Sequence, residues 1–218
     1  MITSDINIVI VSNEQEYAQA MKVRRDVFVD EYHINEKQEF DGNDYSSTHV
    51  LALSGDKPVG TMRIRYFNGF VKMERMCVLQ DYRKTDVAEQ IMQKAMLFSA
   101  QKGYDKAYGV CKKELLPRWQ KNGFLPIEGA VPVEQNGMQL VPVYCNLPKV
   151  DNIITMQTEP QILNAKEGSW FEVEEKSPVF RIKELTNKVK KMKQSADFKC
   201  NSGNVLSALS KKADDKSY

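Results

Sequence analysis

The stretch MCVLQDYRKTDVAEQIM, Met76 to Met92, reads as a strand, a tight turn and a helix. Such a turn can grip an anion, because the first N–H groups of a helix lack partners and its dipole favours negative charge. Here the turn reads Arg83-Lys84-Thr85-Asp86-Val87-Ala88 and contains no glycine. Arg83 and Lys84 add positive charge. Asp86 places a carboxylate against the anion, which can offset a dipole term of about 0.3–1 kcal/mol. Asp86 also has a structural alternative as the N-cap of the helix, with Glu89 completing a capping pattern. Upstream, Glu74 lies on the strand feeding the turn, a carboxylate able to accept a proton or to pair with a neighbouring arginine. Strict alternation would put Glu74, Met76 and Val78 on one face and Arg75 and Cys77 on the other.

These residues need a scaffold, and 218 residues suit one domain with an extension or two small ones. Hydrophobic residues make up 42%, enough for a core. No apolar run reaches the roughly 18 residues of a spanning helix. The start lacks the basic region of a signal peptide, so a cytoplasmic setting is the default expectation. The widely spaced Cys77, Cys111, Cys145 and Cys200 form no CxxC pair, and with only His33 and His49 no His-rich metal site is expected. A net charge of +2 does not by itself indicate nucleic acid.

Strands are expected at 6–11, 49–53, 59–66, 71–78 and 106–110. A closing hairpin is expected over 131–134 and 140–147 around Asn136-Gly137. Asn13, with Glu16 three residues on, opens a helix running through Phe28, and 35–48 reads as a loop. Val87, Ile91, Ala95 and Phe98 keep helical spacing over 87–101, ending at Lys102-Gly103. Pro117 starts a short helix that stops at Gly123. The order implies an α+β fold with a mixed, mostly antiparallel sheet flanked by helices over residues 1–148. Residues 149–218 form a lysine-rich extension in which Ile182, Leu185, Val189 and Met192 make an apolar helical stripe.

The run KPVGTMRIRYFNGFVKMERMCVLQDYRKTDVAEQIMQKAMLFSAQKGY resembles the central motif of the GNAT superfamily of N-acyltransferases. VRRDVFVDEYHINEKQEFDGND and LLPRWQKNGF are similar to its ElaA-type branch. The resemblance covers roughly residues 5–147. It implies acyl-CoA, typically acetyl-CoA, as co-substrate and a small-molecule or peptide amine as acceptor. The backbone of Met76, Cys77 and Val78 would hold the pantetheine arm, and the turn from Arg83 through Ala88 the diphosphate. Of the family's glycine-rich turn only Arg83 and Ala88 match. The family's acidic tyrosine falls on Trp119, whose indole N–H does not ionise near neutrality, so Trp119 is left to orient the substrate or line its pocket. Tyr108 or Tyr144 is left to protonate the thiolate, with Glu74 as base. RRDVFV with EFDGNDYSSTHVLA and GTMRIR also resembles acyl-homoserine-lactone and N-acyl amino acid synthases. That resemblance implies an alternative donor, acyl carrier protein, with Arg25, Asp41, Asp44 and Arg63 recognising the acceptor. A third alternative is a degenerate member that binds a thioester or partner without turnover.

Overall fold

The computed structural model describes residues 5–171, position 136 excepted. The chain opens with β1 (Ile6–Ile10) and α1 (Glu14–Arg24), which runs without a break into a π-helical turn, Arg25–Glu31. Then follow α2 (Glu36–Glu39), β2 (Thr48–Ser54), β3 (Lys57–Phe67), β4 (Phe70–Val78), α3 (Val87–Gln101) and β5 (Lys106–Lys112). The remainder is α4 (Leu116–Lys121), β6 (Leu125–Pro126), β7 (Val133–Gln135), β8 (Met138–Asn146) and α5 (Pro160–Leu163). The sheet order is β1-β2-β3-β4-β5-β8-β6, with β7 on β8. Only β4 and β5 pair in parallel among the described strands. This is the α+β class expected. Residues up to Gly168 group in one compact unit. The lysine-rich stripe over 182–193 lies outside the described residues.

Helices cover both faces of the sheet, and two adjacent pairs of residues show how. Val78 opposes Gly60, and a Cβ on Gly60 would sit 2.8 Å from Ile91, so this face meets α3. Cys77 opposes Thr61 and packs with Val23 and Val27, so the other face meets α1 and the π-helical turn. On the α3 face Met62, Ile64, Met73, Val87, Ile91 and Phe98 are buried to within 1%. Each such side chain contributes about 1.5–3 kcal/mol over its exposed state.

Three local expectations need correcting. The α-helix that begins at Asn13 is capped as expected, Asn13 Oδ1 accepting from Glu16 N at 2.9 Å, but α geometry ends at Arg24 and π geometry carries Phe28. The segment 35–48 is not all loop, because Asn35 Oδ1 accepts from Lys37 N and starts α2. Alternation along β4 also fails. Arg75 adopts φ +54 and the register slips, so that Arg63 opposes Glu74 while Thr61 opposes Cys77. This bulge inserts one residue and puts Glu74 and Cys77 on the same face, that of α1.

Candidate functional site

The sheet opens at one end. β4 and β5 pair only at Val71–Ala107, Lys72–Tyr108 and Met73–Gly109. Beyond that, β4 continues to Val78 and β5 to Lys112 without pairing with each other. The bulge at Arg75 lies just past the last pair, where its extra twist turns β4 away from its parallel neighbour. Gly109 closes the base of the opening. A Cβ there would lie 2.5 Å from the Trp119 ring, so Trp119 stacks directly on that backbone. Trp119 is buried and meets Phe124 edge-on at 4.8 Å between centroids.

Past Val78, a 3-10 turn at Gln80–Tyr82 leads to the turn that starts α3. Asp86 does not cap that helix: its side chain makes no capping bond, and Glu89 instead accepts from Arg118 Nε at 2.9 Å. Among the described residues the one side-chain contact to the first turn's N–H groups is long, Val87 N to Thr85 Oγ1 at 3.4 Å. Thr85 Oγ1 itself donates to Tyr82 O. Among the described residues no group accepts from the N–H of Ala88 or Glu89. The donors an anion would use are therefore available, although the turn has no glycine. Arg83 is engaged otherwise. Its Nη1 and Nη2 donate to the two oxygens of Glu31 at 2.7 and 2.5 Å, and its Nε to Val78 O at 2.9 Å.

On the α1 face, a cleft of about 590 Å³ lies at the open end of the sheet. Glu31, Tyr32, His33, Gln38, Lys112 and Met138 are among its walls. The π-helical turn shapes it: Tyr32 N donates to Val27 O and Ile34 N to Phe28 O, and His33 is forced to φ +55. π turns are rare and concentrate at functional sites. Lys112 at the end of β5 places its ammonium 4.4 Å from the Tyr32 ring.

Behind the cleft, on the same face, charge is buried. Arg63 is fully enclosed and uses all five N–H donors: Nε and Nη2 to Glu74, Nη1 and Nη2 to Asp41, Nη1 to Asp44. Arg24, also fully enclosed, joins Glu39 at 2.6 Å and Asp44 at 2.5 Å. Arg75 reaches Glu39 at 3.0 Å, and Lys72 takes the second oxygen of Glu74 at 2.7 Å. The Arg63 hydrogen bonds hold Asp41 well below the usual carboxylate range. Burial pushes Asp44 up, but Arg24 and Arg63 outweigh it and leave it low. Glu74 behaves likewise, burial opposed by Lys72 and Arg63, so it is held ionised. Burial wins at Glu39, which is raised despite Arg24 and Arg75. His49 donates from Nε2 to Asp44 O at 3.1 Å, and burial lowers its basicity.

Of the residues singled out in the sequence, Asp41, Asp44, Arg63 and Glu74 are thus brought into one network. Arg25 is not in it. It lies exposed and pairs with Glu36 at 2.5 Å, and its neighbour Arg24 holds the buried position. Helix phase was the available signal, since Ala20, Val23, Arg24 and Val27 share one face. Glu31, Tyr32 and Lys112 carried no sequence signal, because their roles come from long-range packing. Tyr144 is exposed on the α1 face, opposite Tyr108 on β5 and one residue to the closed side of the opening. Among the described residues no group of three or more His, Cys, Asp or Glu side chains is placed to hold a metal. Nor is any helix there long and apolar enough to cross a membrane.

Known proteins share this fold. The sequence profile of the Acetyltransferase (GNAT) domain matches residues 45–125. The N-acetyltransferase YjcF of Bacillus subtilis (strain 168), itself uncharacterized, is 33% identical over 116 residues, 53% of this chain and 83% of its own. The crystal structure of Escherichia coli ElaA has a TM-score of 0.59 at 21% identity, over 65% of this chain and 99% of that one. BjaI, a CoA-dependent acyl-homoserine lactone synthase solved with SAM and isopentyl-CoA, has a TM-score of 0.54 at 19% identity, over 66% and 83%. At such identities the structural likeness speaks to the fold alone.

Proposed function

We propose that this chain, which belongs to the GNAT acetyltransferase family, moves an acyl group from acyl-CoA, acetyl-CoA first among the candidates, to an amine on a small molecule or peptide. One observation carries the donor half of this reading. The parallel β4–β5 pairing stops at Met73–Gly109, and the strand edge beyond it leads straight to an uncapped helix start. An extended pantetheine arm fits a slot between parting strands, where it would take the place of the missing strand partner for main-chain groups of Met76, Cys77 and Val78. The free N–H groups of Ala88 and Glu89, with Lys84 nearby, suit the phosphates.

In the reaction the amine nitrogen attacks the thioester carbonyl, the C–N bond forms and the C–S bond breaks. The proton that leaves nitrogen balances the one gained by the thiolate. A lysine-like amine has a pKa of about 10.4, so only about one in 10³ is neutral at pH 7, a cost of about 4–5 kcal/mol. The cleft beside the opening is the proposed acceptor site. Both oxygens of Glu74 already accept from cations. We therefore assign it the task of holding Arg63 and biasing the site toward a cationic acceptor, while the proton leaves through water in the open cleft. Tyr144 is the proposed proton donor to sulfur. Its contribution is small, because a thiol with a pKa of about 8.5 leaves readily without an acid.

The test is incubation with labelled acetyl-CoA and a panel of primary amines, reading amide product by mass spectrometry and free thiol by absorbance. Transfer to at least one amine supports the reading, and CoA binding without any transfer leaves only a binding protein. The second reading, a carrier-protein donor, is favoured by the engagement of Arg83 with Glu31. Amide formed from acyl carrier protein, with no response to CoA, would replace the first reading by the second.

A further inference from the structure

Arg83 opens the turn proposed to hold phosphate, yet its charge is matched before any ligand arrives. Glu31, the last residue of the π-helical turn, meets it with both oxygens, and Tyr32 lies 5.6 Å beneath the guanidinium. The Arg83 hydrogen bond keeps Glu31 below the usual carboxylate range despite some burial, and the charge of Lys112 adds to this. The pair is reachable from solvent, with side-chain exposures of 30% for Arg83 and 36% for Glu31. It can therefore exchange partners without opening the core. Elsewhere around the turn, Asp86 adds a negative charge two residues from Lys84, and Arg118 is held by Glu89.

We infer that Glu31 is a donor-selecting residue, competing with the ligand's phosphates for Arg83. A diphosphate-bearing thioester must displace it, whereas the pantetheine arm alone does not touch it. The inference rests on the acyl-thioester reading above and deepens it. Binding of a CoA-type donor becomes an ion-pair exchange, Arg83 passing from carboxylate to phosphate oxygens. Both are good guanidinium partners in forked geometry, so the net gain from Arg83 is small. Because Glu31 is also a wall of the cleft, the exchange releases a carboxylate at the acceptor site.

The experiment is calorimetric titration of CoA into the full-length chain and its Glu31→Gln, Arg83→Gln and double variants, with melting temperatures to confirm folding. Pantetheine, which has no phosphate, serves as the control ligand and is followed by NMR. Glu31→Gln is expected to tighten CoA by ~2–5-fold, the range spanned by a partly exposed ion pair, and to leave pantetheine unchanged. In the Arg83→Gln background the gain from Glu31→Gln should vanish. Unchanged or weaker CoA binding in Glu31→Gln overturns the inference. So does a gain that persists undiminished without Arg83, which would reduce Glu31 to a distant charge. If no folded variant binds CoA, the donor reading itself fails and takes this inference with it.

Discussion

One sheet carries two faces of opposite chemistry. The α3 face is hydrocarbon, with Met62, Ile64, Met73, Ile91 and Phe98 interlocked. The α1 face is apolar around Val23, Val27 and Cys77 but also buries an ionic network, with Arg24, Arg63, Lys72 and Arg75 set against Glu39, Asp41, Asp44 and Glu74. A hydrocarbon face tolerates change of shape if volume is kept. A buried ionic face tolerates almost none, because removing one member leaves its partners charged and dry. Such a network is weak evidence for stability as such. What it does here is fix the bulged strand β4 and the segment 36–44 beside the cleft. The apolar face holds the sheet together, and the ionic face sets where the functional edge lies.

The largest break in that contrast comes from Arg63→Met, which takes a buried guanidinium away from Asp41, Asp44 and Glu74 at once and should cost about 3–5 kcal/mol. Urea unfolding measures it, and a loss under 1 kcal/mol would mean that the network does not fix this face. Gly109→Ala attacks the base of the opening from the other side. Its methyl would collide with Trp119 and should cost about 1–3 kcal/mol. It should also move the indole fluorescence. Met62→Leu on the apolar face conserves volume and should cost less than about 1.5 kcal/mol. A larger loss there than for Arg63→Met would reverse the comparison.

The smallest effect is in pH dependence. His49 sits against Asp44, Arg24, Arg63 and Tyr17, and is less basic folded than unfolded. Its contribution to stability is therefore complete above its unfolded pKa of about 6.5 and is lost as pH falls below that. Asp41, Asp44 and Glu74 follow the same sign in a lower window, beginning near their unfolded values of about 4. Glu39, raised by burial, runs oppositely and loses its contribution as pH rises through its folded pKa. Unfolding midpoints should stay level from pH 8 to 7 and fall below about 6.5. His49→Gln should flatten the part between pH 6.5 and 5.

Much of this was legible in the sequence, and the failures share a cause. Helix α3 was readable to its ends, because Val87, Ile91 and Phe98 obey one period against one apolar face. The strands β2 to β5 were readable as apolar runs bounded by turn residues, although not in their side-chain phase along β4. Periodicity failed where tertiary contacts overrode it. The bulge at Arg75 is held by Glu39 and Asp41 from a distant segment, and no local pattern announces it. Continuing α periodicity through Phe28 missed the π geometry, and naming Arg25 passed over Arg24, the adjacent arginine that is buried. Asp86 carried a good capping pattern, but Glu89 found a stronger partner in Arg118. Of the charged residues on the α1 face, Asp41, Asp44, Arg63 and Glu74 were singled out in the sequence, but their mutual pairing, and the tie between Glu31 and Arg83, needed three dimensions.

The central claim is that the parting of β4 and β5 holds a thioester arm whose phosphates rest on the start of α3. The most direct measurement is an amide NMR titration of the ¹⁵N-labelled chain with CoA. The account predicts the largest shifts at the N–H groups of Met76 to Val78 and of Lys84 to Glu89, with smaller changes at Glu31 and Tyr32. Saturable CoA binding that leaves those amides unmoved and shifts residues elsewhere would contradict it.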